Sequence, residues 1–248
     1  MLVPIETQPD LVDRVYESLL DAICSGGWTP GERLTQEAVA ARLGVSRQPV
    51  LQAFRILQRQ GLIVDTPNRK GVLVAPLDAA FVSNLYAVRG ALDALAAATA
   101  AEAPRPALRA PGARLLRNGR AAIRAGDTGA LVEADLAFHR FVYEASGNPL
   151  LEQTATVHWH HTRRTMAAYL RITASLDDVW DEHERLLDAI VAGDVESARR
   201  EAAAHAQASA ASLAALLSAR TQPPRQAAIG TDPARHVAAG AARAPRPS

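Results

Sequence analysis

A chain of 248 residues, 48% hydrophobic and 21% charged, is long enough for one large domain or two smaller ones with separate cores. No apolar run reaches the roughly 18 residues of a membrane span, and the opening MLVPIETQPDLVDRV carries acids where a secretory leader would be basic and then apolar. The chain is therefore read as cytoplasmic with no membrane partner, and its single cysteine, Cys24, excludes an intrachain disulfide and reads as a small packing residue.

The formal net charge of +1 hides a local excess. Residues 38–77 hold Arg42, Arg47, Arg55, Arg59, Arg69 and Lys70 against Asp65 alone. Lys70 is the only lysine, so the cationic groups are nearly all planar guanidinium forks, suited to phosphates and guanine edges. A genomic base bias would produce the same arginine-rich composition.

In chain order, Val12, Val15, Tyr16, Leu19, Leu20 and Ile23 recur at helical spacing, with Asp10 as the expected N-cap and Gly26-Gly27 as the stop. Pro30-Gly31 then turns the chain, and TQEAVAARL (35–43) reads as a short helix opened by Thr35 and closed by Gly44. Ser46 is the expected N-cap of a third helix running to about Gln60, with Pro49 in its first turn, where the missing N–H removes no helical bond. LIVD and VLVA then flank TPNRKG as two short strands around a polar turn. This order describes a winged helix-turn-helix, although short helices around a glycine turn also occur in enzymes.

From Ala79 almost to Arg220 the pattern is helical, broken at 101–112, 124–129, 146–149, near 174–175 and at 192–194. The expected fold is mainly α: a winged helix-turn-helix over 1–77, an all-α bundle of about six helices over 78–218 and a disordered basic tail over 219–248.

In the bundle, DLAFHRF (135–141) places Asp135 and His139 one helical turn apart and in line with Val132 and Val142, hence on a buried stripe. His183 shares a face with Leu186, Leu187 and Ile190, and His205 one with Ala198 and Ala202. Burying a carboxylate and three imidazoles without compensation would cost several kcal/mol each. Spacing leaves two remedies open, a hydrogen-bonded polar core or a divalent cation such as Zn, Ni or Mn. Arg89, in line with Val82, Leu85 and Leu92, also points inward, either to clamp an anion or to pair with Asp93 or Asp135. His158, His160 and His161 in VHWHH are secondary candidates, with His161 the one that could lie near the pocket.

The stretch from Ala22 to Val74 resembles the GntR family of bacterial transcriptional regulators, through Ile23, Gly27, Pro30, Gly31 and Leu34, the LGVSR turn with Pro49-Val50, and the GLI and NRKGVLV wing. The remainder is similar to the FCD, or FadR-like, type of effector domain, on D-x-x-x-H at 135/139, Glu182-His183, Gly193-Asp194 and His205. The resemblance implies that the third helix enters the major groove of a near-palindromic operator, with Ser46, Arg47, Gln48 and Arg55 at base edges and phosphates and Arg69, Lys70 and Gly71 at the wing tip. Arg55 and Arg59 read equally as a solvated face. Many members carry Arg-Glu where this chain has Leu51-Gln52, so one familiar DNA-contacting arginine is absent. The resemblance further implies a homodimer, a metal held by Asp135, His139, His183 and His205, and a small carboxylate effector held with Arg89. The expected function is a ligand-responsive regulator, a repressor; the competing reading is a metal-dependent enzyme fused to a DNA-binding module.

Overall fold

The computed structural model describes residues 11–67, 71–169 and 176–221. The expected N-cap Asp10, the break near 174–175 and the disordered tail from residue 222 on lie outside the described residues.

The first part contains α1 (Leu11–Cys24), β1 (Arg33–Leu34), α2 (Gln36–Leu43), α3 (Arg47–Arg59), β2 (Ile63–Asp65) and β3 (Val72–Val74). Thr35 caps α2, its hydroxyl accepting from the Ala38 amide, and Gly44 closes it in the left-handed region at φ 66°. Ser46 occupies the N-cap position of α3 but makes no side-chain cap bond, which leaves its hydroxyl exposed. Val50, Ala53, Phe54 and Leu57 on α3 pack against Val15, Leu19 and Ile23 of α1. Two strands were expected and three are present: β3 lies between β1 and β2, antiparallel to both, with Leu34 opposite Val72 and Ile63 opposite Val74. A two-residue strand has no periodicity to read, so β1 is visible only in its pairing. Its consequence is a close approach at Gly71, where φ is 97° and a Cβ would stand 2.6 Å from the Leu34 carbonyl oxygen.

Six α-helices follow among the described residues: α4 (Ala79–Ala100), α5 (Arg109–Ala125), α6 (Thr128–Ser146), α7 (Pro149–Tyr169), α8 (Asp177–Ala192) and α9 (Val195–Thr221). The expected break at 101–112 is shorter than its prolines suggest. A 3-10 turn at Pro106–Leu108 leads directly into α5, whose first turn accommodates Pro111 because no helical N–H is needed there. Helix α4 lies along α9, closely enough that a Cβ on Gly90 would meet the Ala206 methyl at 3.1 Å. Phe138, Val142, Tyr143, Trp180, Leu187 and Ile190 form the main core of this part. No described helix is long and apolar enough to cross a membrane.

Candidate functional site

The first site is the outer face of α3. Ser46, Arg47 and Gln48 are exposed at its N-terminus, where the unsatisfied amides and the helix dipole favour an anion. Gln48, Gln52, Arg55 and Arg59 continue as one exposed stripe at i, i+4, i+7 and i+11, opposite the face that Phe54 and Leu57 bury. Gln52 thus lies on this outer face, whereas Leu51 is half-buried and could not serve it. Arg47 pairs with Glu37 at 2.9 Å, an exposed ion pair of the kind that contributes little and is readily exchanged for a phosphate. Arg69 and Lys70, assigned to the wing tip, lie outside the described residues.

The second site is inside the helical bundle. Helix α6 supplies Asp135 and His139, α8 supplies His183 and α9 supplies His205, and one ligand atom from each lies within 4.8 Å of the others. All four residues are buried. Their polar atoms face one another without the bonds a polar core would need. Asp135 Oδ2, His139 Nε2 and His183 Nδ1 have no hydrogen-bond partner among the described residues, and His183 Nε2 stands 3.3 Å from His205 Nε2, a contact in which only one ring can donate. Among the described residues the cluster thus leaves several of its own polar atoms unsatisfied.

The surrounding groups orient the cluster. Glu182 Oε2 lies 2.8 Å from His205 Nδ1, so a proton there leaves the Nε2 lone pair directed inward. Asp93 Oδ2 lies 3.5 Å from His139 Nδ1, and the same carboxylate accepts from Tyr143 Oη at 2.8 Å and Arg89 Nε at 3.2 Å. The sequence signal for these roles was weak. Glu182 stood out only as the neighbour of His183, and the function of Asp93 and Tyr143 depends on helices distant in sequence. Burial holds the His139 and His183 pKa values well below the ordinary imidazole range, leaving neutral rings with lone pairs. Burial raises the Asp135 pKa, with Arg89 opposing it. This donor set, one carboxylate and three imidazoles, could hold a divalent cation.

Arg89 satisfies both of its sequence readings in part. It pairs with Asp93 and stands 3.7 Å from Asp135, yet its NH2 group makes no hydrogen bond. Burial works against the guanidinium charge, but Asp93, Tyr86 and Asp135 more than compensate, and its pKa is raised. A cavity of about 230 Å³ opens beside Arg89 and Asp135, walled by Met166, Trp180 and Leu213 among others.

His161 does not join the cluster, contrary to its secondary candidacy. It faces the winged part instead, with Nε2 2.8 Å from the carbonyl oxygen of Gln60, the residue that caps α3, and its ring edge-on to Phe81. Its neighbours do likewise: Arg163 bonds Asp21 at 2.8 Å, and Arg164 donates to the Ala75 carbonyl at 2.9 Å beneath the Phe81 ring. One stretch of α7 thus joins the winged part to the bundle.

The family model of bacterial regulatory proteins of the gntR family matches residues 11–74, and the FCD domain model matches residues 84–208. An uncharacterized HTH-type transcriptional regulator in the TAR-I ttuE-ttuC' intergenic region of Agrobacterium vitis is 32% identical over 52% of this chain and 76% of its own. The probable D-xylose utilization operon transcriptional repressor of Paenarthrobacter nicotinovorans is 27% identical over 82% of this chain and 88% of its own. Among solved structures, E. coli McbR/YncC superposes with a TM-score of 0.71 at 25% identity, covering 83% of this chain and 98% of that one.

Proposed function

The chain belongs to the GntR family of bacterial regulators, with an FCD domain behind its DNA-binding part, and on that premise we propose a homodimeric repressor controlled by a small carboxylate. The family and the relatives are transcriptional regulators, so the chain is a regulator rather than an enzyme, and the enzyme reading falls. Repression takes its support from the relative named as a probable repressor.

Two copies of α3 would read the half-sites of a near-palindromic operator, with Arg47, Gln48, Gln52 and Arg55 toward the bases and phosphates. The reading seats the second copy on the apolar face that Val88, Ala91 and Leu95 leave exposed along α4. Asp135, His139, His183 and His205 would hold the divalent ion. Such an ion supplies positive charge and open coordination positions for a carboxylate. Arg89, whose NH2 group lacks a hydrogen bond, would grip the same anion from the side.

The observation that carries this reading is the cavity opening onto both Arg89 and Asp135. A buried guanidinium whose NH2 group lacks a hydrogen bond among the described residues, at the wall of a cavity, supports an anionic ligand. Met166 on α7 lines that cavity, and just ahead of it on the same helix His161, Arg163 and Arg164 hold the winged part. Helix α7 is accordingly the route by which an occupant would bias the placement of α3.

The test of the DNA-reading assignment is operator affinity, with the operator selected from genomic fragments. Arg47→Ala should lower specific affinity by about tenfold, the scale of one lost bidentate base contact, and flatten the salt dependence slightly. Unchanged specific affinity would remove α3 from the role given to it.

A further inference from the structure

The cavity's walls say more about its occupant than its floor does. Arg89 and Asp135 stand together in the lining, Arg89 NH2 3.7 Å from Asp135 Oδ2. The body is lined by Leu131, Met166, Val179, Trp180, Leu213 and Leu216, and Trp180 is 1% exposed, so its ring is a fixed wall. Arg89 is the one cationic side chain among the described lining residues, while Asp178 and Glu182 add negative charge away from it. Glu182 is also committed to His205. Ser209 and Ser212 on α9 and Tyr86 on α4 supply the neutral hydroxyls.

Resting on the effector reading above, we propose that the ligand is a monocarboxylate with an apolar body, aliphatic or aromatic, rather than a polyhydroxylated or di- or tricarboxylic acid. Its carboxylate takes the Arg89 end of the cavity. Its hydrocarbon part displaces water from Met166, Val179, Trp180 and Leu213, which offer nothing to hydroxyl groups. A second carboxylate would have to share Arg89 and the ion with the first, because the other charged side chains among the described lining residues, Asp178 and Glu182, repel it. The walls discriminate by what they fail to satisfy: a sugar acid would leave several hydroxyls stranded against hydrocarbon.

The experiment is calorimetric titration of the full-length, metal-loaded protein with acetate, butyrate, hexanoate and phenylacetate beside malonate, citrate and gluconate. Affinity should rise about three- to fourfold per added methylene until the cavity is filled, with phenylacetate tighter than acetate and the polar acids weakest. Val179→Asn, a neutral polar change on the half-buried wall, should reduce the gain from chain length. Arg89→Gln should weaken every acid in the series. Tighter binding of citrate, malonate or gluconate, weakened by Arg89→Gln, overturns the apolar-ligand assignment but leaves the carboxylate-effector reading standing. No binding of any acid, or binding indifferent to Arg89, overturns both.

Discussion

Gly119→Ala is the substitution through which the support of the buried cluster can be measured. Gly119 faces α8 from α5, and a Cβ placed there would stand 2.0 Å from Cη2 and Cζ2 of Trp180. The indole has no flexible end to swing aside. It is 1% exposed and packs edge-on against the His183 ring, with centroids 4.8 Å apart. Alanine in a helix is favoured over glycine by about 1 kcal/mol, which works in the variant's favour. Overpacking a fixed aromatic ring costs about 1–3 kcal/mol and more where the overlap is this deep, so the net loss should be about 2 kcal/mol or larger. For a chain of this size each kcal/mol moves Tm by about 2–4 °C, which gives a fall of roughly 4–8 °C or more. Thermal unfolding followed by far-UV circular dichroism reads it, with Gly129→Ala as control, since a Cβ there meets only Asp127 Oδ1 at 3.4 Å. Because Trp180 must shift, metal affinity should fall with Tm. A Gly119→Ala protein as stable as wild type would refute the claim that α5 presses Trp180 onto His183.

Two further outcomes follow from buried groups outside the cluster. Burial pushes the Cys24 thiol up to about 11, with the Arg163 and Arg164 charges opposing, so a disulfide reagent at neutral pH should find no thiol in the native protein and one after denaturation; rapid native labelling would contradict the packing described. Burial, then Arg164, lowers His161 to about 4, with His158 and His160 adding to the effect and the Gln60 carbonyl opposing it. An unfolded histidine titrates near 6.5, so between about 6.5 and 4 the unfolded chain binds the extra proton and stability falls as pH falls. Wild type should therefore lose on the order of 1–2 kcal/mol more than His161→Gln between about pH 6.5 and 5, and equal slopes in the two proteins would show that His161 does not stay neutral against Gln60.

The residues legible in the sequence were those fixed by period and punctuation. Asp135 and His139 lie on one stripe because a helix repeats every 3.6 residues, and Thr35 and Gly44 bracket α2 because their chemistry suits helix ends. What periodicity cannot supply is the rotation of one helix against another. Asp93 and Tyr143 meet across 50 positions, and His205 finds Glu182 across 23, so their orienting roles emerge only when α4, α6, α8 and α9 are packed. The same limit explains His161, a secondary candidate for the pocket that packing turns toward Gln60. Strand β1 was missed because its two residues are defined by their partner β3, and α5 began earlier than expected because a proline in a first turn does not break a helix.

Asp135, His139, His183 and His205 are proposed to form one ion-holding cluster that meets the effector cavity through Asp135. Elemental analysis of untagged protein, wild type beside His183→Ala, tests it most directly. The account predicts close to one divalent ion per wild-type chain and a large loss in the variant, with matching circular dichroism spectra showing that both are folded. Equal metal content in the two proteins would contradict it.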